Sequence, residues 1–186
     1  CFIITKVQKT KAIPKTTEIK CYIHRRSKGL LGFGENYRRL TRIPMPVRTK
    51  VSVAELFMDL KKLFPEEYIH FEMPASDLYL YADRAQIEQV LINLLKNAAK
   101  RASGERIKTL DKVFSKGNPT FTISDNGEGI LPDVLDKIFV PFFTTKTSSS
   151  GIGLSLCKQI MTLHDGSINV KSESGKGSCF ILTFPK

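Results

Sequence analysis

Cysteine is scarce and unpaired in this chain of 186 residues: Cys1, Cys21, Cys157 and Cys179 show neither metal-ligand nor redox spacing. That excludes a zinc-ribbon or disulfide scaffold and fits the reduced thiols of a cytosolic protein, two of them buried. Long apolar runs are missing as well. Pieces such as Val90-Leu91-Ile92 and Leu94-Leu95 are interrupted by Asn93 and fall far short of the about 20 residues a membrane helix needs. The start, Cys1-Phe2-Ile3-Ile4-Thr5-Lys6, has no initiating Met and too short an apolar stretch for a signal peptide, so a fragment of something longer is expected. Acidic residues are nearly absent from the first 50 positions, where Glu18 and Glu35 face thirteen Lys and Arg; beyond them sixteen bases meet sixteen acids. The net charge of +11 therefore belongs to the arm alone. A solvated extension explains such a run more simply than nucleic-acid binding does.

What is present organises itself along the chain. Residues 1–22 show no helical or strand period and read as a basic lead-in. From Ile23 to Leu40 the apolar residues Ile23, Leu30, Leu31, Phe33, Tyr37 and Leu40 suggest a helix, which stops before Pro44-Met45-Pro46. The compact domain is expected over 51–186. Ser52 and Glu55 form a capping-box pattern ahead of the apolar face Val53, Leu56, Phe57, Leu60 and Leu63, which Pro65 ends. Ile69 to Met73 and Leu78 to Tyr81 read as strands.

Asp83 caps the next helix, whose apolar residues Ile87, Val90, Leu91, Leu94, Leu95, Ala98 and Ala102 follow the 3.6-residue period. The same period aligns Gln86, Gln89, Asn93, Asn97 and Lys100 on the neighbouring stripe. Asn is a poor helix former, and a covered amide must find partners. A pair of asparagines at i and i+4 with a lysine three residues on suggests a polar floor, offering amide oxygen to a hard cation and ammonium to phosphate.

After a strand at Ile107 to Leu110 and a turn at Gly117-Asn118-Pro119, the alternating run Thr120 to Ser124 ends at Asp125-Asn126-Gly127-Glu128-Gly129-Ile130. A carboxylate at a strand end followed by two glycines suits close approach of a base or a phosphate. Residues 131–150 exceed an ordinary connection and suggest a lid. Gly151-Ile152-Gly153-Leu154 opens a helix to about Leu163, and the unpaired N–H groups at such a start attract phosphate. Ser167 to Ser172 and Ser178 to Phe184 read as a hairpin across Gly175-Lys176-Gly177.

Taken together, Asn93-Leu94-Leu95-Lys96-Asn97-Ala98, Asp125 to Ile130, Ile138 to Phe143, Gly151-Ile152-Gly153-Leu154-Ser155-Leu156 and Gly175-Lys176-Gly177-Ser178 resemble the N box, glycine boxes and F box of bacterial sensor histidine kinases. These belong to the gyrase, chaperone and kinase ATPase superfamily. The likeness covers 51–186 in the right order, and 23–46 resembles the second helix of the dimerisation hairpin, making 23–50 a hairpin remnant plus linker.

The resemblance implies an α+β fold, a two-layer α/β sandwich of Bergerat type with a mixed sheet, helices on one face and a helical segment before it. It implies ATP and Mg²⁺ as cofactors and an activity that donates the γ-phosphate to a histidine on a dimerisation hairpin, for relay to a response regulator receiver domain. By the same resemblance Asp125 accepts the adenine amino group, Gly127 and Gly129 shape the adenine wall, and Ile130 is a further nucleotide-binding position. Asn97 holds Mg²⁺, Asn93 lines the same helix face, and Lys100 reaches a phosphate. Gly151, Gly153 and Leu154 belong to the lid backbone over the phosphates, Phe142 and Phe143 anchor the lid, and Thr145 and Lys146 touch the γ-phosphate. The resemblance places the domain in the cytoplasm, with an inner-membrane anchor and a homodimer as features of the full-length protein.

Superfamily members that hydrolyse ATP carry Glu four residues before the metal-binding Asn. Here that residue is Asn93, and an amide cannot take a proton from water, which favours kinase over hydrolase. A different reading is a regulatory module that keeps the pocket without transferring phosphate. The three histidines do not fit the acceptor pattern: His24 precedes Arg25-Arg26, His70 lies in a strand, and His164-Asp165 leaves a helix into the Gly166 turn.

Overall fold

The computed structural model describes residues 34–35, 37–38, 40–64, 69–73, 78–99, 107–115 (as backbone), 118–145 and 149–186. Lys100, Lys146, Ala102, His24, Cys1, Cys21 and the 1–33 part of the arm lie outside them. The chain divides into two units, Cys1–Arg38 and Arg39–Lys186. In the first, Gly34, Glu35, Tyr37 and Arg38 are helical.

The second unit runs β1 (Thr49–Ser52), α1 (Val53–Leu63), β2 (Ile69–Phe71), β3 (Tyr79–Ala82), α2 (Arg84–Ala99), β4 (Ile107–Ser115), β5 (Asn118–Asp125), α3 (Pro132–Leu135), α4 (Gly153–Leu163), β6 (Ser167–Glu173) and β7 (Gly177–Thr183). Five strands form a mixed sheet in the order β2-β4-β5-β7-β6, parallel only between β2 and β4. Alternation decides the sheet's inner face: along β5, Phe121, Ile123 and Asp125 are buried, while Thr122 and Ser124 are only half covered. α2 packs on β5, α4 on β6, and the two helices on each other, so the helices form one layer over the sheet. Phe121 anchors the contact between layers. Its ring meets Phe57 of α1 edge-on at 5.2 Å and Phe184 at 5.1 Å.

Local chemistry explains the helix starts. Ser52 caps α1 by accepting from the Glu55 N–H, and Val53, Leu56, Phe57 and Leu60 are buried; Leu63, expected on that face, is exposed because the helix ends there. Asp83 caps α2, its Oδ1 accepting from Gln86 N at 3.1 Å while its Oδ2 takes Val47 N at 3.0 Å. Asp83 N in turn donates to Nε2 of buried His164 at 3.0 Å, whose Nδ1 lies 2.8 Å from Ile160 O. Arg48 spans 2.7 Å to Leu163 O and 2.7 Å to Asp165 Oδ2. Gln86, read as part of the polar stripe, is buried and donates to Pro44 O at 2.9 Å. The start of α2 and the end of α4 are thereby tied to the incoming chain, leaving the other ends of both helices for the site.

Several elements differ from the sequence reading, among them α3 in the stretch read as a lid and the start of β5, where Asn118-Pro119 read as a turn. Thr49–Ser52, divided in the sequence reading between the linker and the start of the domain, is a strand whose partner is β3, so that Val51 and Leu80 are buried inward while Lys50, Tyr79 and Tyr81 face out. β4 extends to Ser115, because pairing with β5 through Ser115 and Asn118 continues the ladder past the charged dipeptide Asp111-Lys112 that hides it in the sequence. Among the described residues no helix is long and apolar enough to cross a membrane.

Candidate functional site

The second half of α2 supplies the floor of a cavity. Asn93 and Asn97, one turn apart, line it together with Lys96, while Val90, Leu91, Leu94, Leu95 and Ala98 are buried. The cavity measures about 760 Å³. Its other walls include Glu128, Gly129, Ile130 and Leu131 from the loop after β5, Phe143, Thr144 and Thr145 within the 131–150 stretch, Gly151, Gly153 and Leu154 at the start of α4, and Phe180 from β7. A smaller cleft of about 270 Å³, beside the β1–β3 ribbon at Arg48, Lys50, Tyr79 and Tyr81, contains none of these motifs.

At one end, β5 delivers Asp125 into the protein, where it is buried and its Oδ1 accepts from Gly127 N at 3.0 Å. The loop is then clasped to the β6–β7 hairpin. Gly175 N donates to Glu128 O at 2.8 Å, and Ile130 N donates to Ser172 Oγ at 2.8 Å. Gly129 (φ 74°) lies so close to the hairpin that a Cβ would fall onto Glu173 O, and a Cβ on Gly177 (φ 100°) would fall onto Asp125 O. Only glycine allows both the positive φ and the approach.

At the other end, Pro132 begins α3 and buried Ile138 pins the turns that follow. Lys158 Nζ of α4 sits 5.5 Å from the centre of the Phe139 ring. Phe142 has φ 64°, and Gly151 (φ 67°) rests on it closely enough that a Cβ would lie 2.6 Å from Phe142 C. Thr144 Oγ1 and Ser149 Oγ lie 2.6 Å apart. α4 starts without a side-chain cap on its N–H groups, and its first two residues, Gly153 and Leu154, line the cavity. The positive end of the helix therefore faces the space where an anion would lie.

Of the predicted site residues, Asn93, Asn97, Gly129, Ile130, Phe143, Thr145, Gly151, Gly153 and Leu154 line one cavity. Asp125 and Gly127 are buried just behind the loop, and Phe142 supports Gly151 from outside. Lys100 and Lys146 fall outside the described residues. Lys96 and Ser174 line the cavity unforeseen; the Lys96 signal was available in the sequence, one residue before Asn97.

Cys157, fully buried where α4 meets α2, has its thiol pushed up to about 12 by burial, with the Asn93 amide pulling the other way. It donates to Val90 O at 3.8 Å and stays a neutral packing group. Among the described residues no group of three or more His, Cys, Asp or Glu could hold a metal ion; the cavity itself offers the amide oxygens of Asn93 and Asn97 and the carboxylate of Glu128.

Comparison with known proteins matches residues 82–186 to the family described as histidine kinase-, DNA gyrase B-, and HSP90-like ATPase. The adaptive-response sensory kinase SasA of Prochlorococcus marinus (strain MIT 9303) is 36% identical over 140 residues, 71% of this chain and 38% of the relative. Sensor histidine kinase ZraS of Escherichia coli (strain K12) is 38% identical over 106 residues, 57% of this chain and 23% of the relative. The chain thus spans well under half the length of these curated relatives. Among solved structures, the catalytic domain of histidine kinase ThkA superposes with a TM-score of 0.65 at 35% identity, covering 75% of this chain and 95% of that one. Full-length ShkA in complex with AMPPNP shares the fold, with a TM-score of 0.70 at 22% identity over 95% of this chain and 40% of its own.

Proposed function

Because the chain belongs to the histidine kinase-, DNA gyrase B-, and HSP90-like ATPase family, we propose that it is the ATP-binding catalytic domain of a two-component sensor histidine kinase. In this reading it gives the γ-phosphate of ATP to a histidine on a dimerisation hairpin, for relay to a response regulator. The observation that carries the reading is a cavity that has a glycine loop beside a buried carboxylate at one end and a bare helix N-terminus at the other, with two asparagines between. That order matches a base, a divalent cation and a polyphosphate.

Each group has a separate task. The Asp125 carboxylate, set by Gly127 N, accepts from an exocyclic amine and discriminates against a base that presents a carbonyl there. Gly129 and Ile130 form the wall beside the base. Uncapped N–H groups at Gly153 and Leu154 hold phosphate oxygens, with Lys96 adding positive charge to the floor and, in our assignment, Lys100 and Lys146 adding more. Thr145 and Phe143 belong to the lid that excludes water. Asn97 would hold Mg²⁺ with phosphate oxygens and water, and the metal when bound neutralises phosphate charge. Asn93 stands where a hydrolase carries Glu, so the floor has no base to activate water, and the phosphoryl group is kept for an external acceptor.

The acceptor is not in this chain. His164 has both ring nitrogens committed to Asp83 N and Ile160 O. His70, although exposed, lies on β2 at the opposite sheet edge from β6. Incubation with γ-labelled ATP should leave the chain alone unlabelled, and addition of a hairpin bearing the acceptor histidine should produce acid-labile phosphate on the hairpin. Phosphohistidine at His24, His70 or His164 would overturn the assignment.

A further inference from the structure

Ile130 closes the glycine loop and is buried, yet its N–H is taken by a side chain from another element, Ser172 Oγ of β6, at 2.8 Å. The same hydroxyl donates to Gly177 O at 2.8 Å and lies 3.0 Å from Ser178 Oγ. A hydroxyl has one hydrogen to give and two lone pairs, so three neighbours at these distances use it fully. One of the three lines the cavity and the other two adjoin Asp125 behind it. Ile130 is a wall, Gly177 is the residue whose missing Cβ lets Asp125 O approach, and Ser178 is the ladder partner of Asp125 itself.

We propose that Ser172 is a positioning residue for nucleobase selectivity: it holds the Ile130 wall and the Ser178 strand in register with Asp125, without touching the ligand. This rests on the nucleotide-binding reading above. Among the described residues the hydrogen bonds of the Ser172 hydroxyl go to the glycine loop and the hairpin, so its removal acts on recognition of the base and spares the phosphate contacts. Ser172→Ala leaves the Ile130 N–H without its acceptor in a covered position, and a lost acceptor of this kind lets the wall relax.

The test measures binding of Mg·ATP and Mg·GTP by calorimetry, with thermal melting of every variant alongside. Ser172→Ala should weaken ATP on the order of tenfold while GTP changes little, narrowing the preference. Ser172→Thr, which keeps the hydroxyl, should restore it. Ser172→Cys, nearly isosteric with a weaker hydrogen bond, should fall between and serves if the Ala variant does not fold. A wild-type preference for ATP that survives both the Ala and the Cys changes, with melting lowered, would show a merely structural hydroxyl and overturn the proposal alone. Wild type that binds both nucleotides equally would overturn this assignment, and wild type that binds neither would overturn the nucleotide reading and this assignment with it.

Discussion

The two ends of the cavity use glycine in different ways. At the loop end, Gly129 and Gly177 have no space around them: backbone oxygens of Glu173 and Asp125 occupy the places where side chains would begin. Hydrogen bonds from Gly175 to Glu128 and from Ile130 to Ser172 close the same contact. At the lid end, Gly151 is packed on Phe142, but Gly153 has nothing within 4 Å, and Thr144, Thr145, Ser149 and Ser150 are exposed. A pocket that discriminates a flat base gains from walls set before binding, whereas polyphosphate is met by N–H dipoles that need an open approach.

The largest expected effect follows from that contrast. Gly177→Ala sets a Cβ against Asp125 O at a φ unsuited to side chains and should cost on the order of 3 kcal/mol of stability or more, with loss of nucleotide binding. Gly153→Ala meets open space at the start of α4 and should leave stability unchanged or raise it by up to about 1 kcal/mol. Urea midpoints of the two variants decide the matter, and equal losses would dissolve the distinction between the ends.

Asn97→Ala tests the floor between them. Transfer to a supplied hairpin in the presence of Mg²⁺ should fall by on the order of 100-fold or more, as when one preorganised contact to transition-state charge is removed, while binding of the base partly remains. Retained transfer would move the cation elsewhere. Asp125→Asn keeps the shape but introduces a donor where an acceptor is required, so ATP binding should weaken by about 1 to 3 kcal/mol, read by calorimetry. Unaltered affinity would remove Asp125 from base recognition.

The balance of what was legible follows the range of the interactions. The stripe of Asn93 and Asn97 beside a buried seam comes from a single helical period and can be read locally, as can the Ser52 and Asp83 caps. Strand β1 cannot, because its pairing from Thr49 to Ala82 crosses the whole of α1 and its four residues show only Val51 as an inward apolar. The glycines were visible as permissive positions, but the reason they must be glycine lies in another segment: Gly177 against Asp125 and Gly129 against Glu173. Ser172 illustrates the limit, since a serine in an alternating strand has no mark until the loop is folded over it. Lys96 points to another. Stripe geometry selected Gln86 and Lys100, yet the turn from Pro44 covers Gln86, and the cavity wall is wide enough to include Lys96.

The smallest expected effect lies outside both ends and calibrates them. Asp59 on α1 has its carboxyl held below the usual carboxylate range by a hydrogen bond and attraction from Lys62, 2.8 Å away, against an opposing cost of burial, with Arg84 of α2 lowering it further. A carboxylate whose folded value is depressed stabilises the protein above its unfolded value, about 3.9, and that contribution is lost as pH falls through the folded value. Asp59→Asn should therefore lower the melting temperature slightly at neutral pH, by an amount that salt reduces because the pair is solvent-screened. The gap from wild type should close at the acid end, while ATP affinity stays the same throughout. A melting difference that persists once the carboxyl is protonated would assign the effect of Asp59 to something other than its charge, and a change in ATP affinity would show that the α1–α2 surface is coupled to the cavity after all.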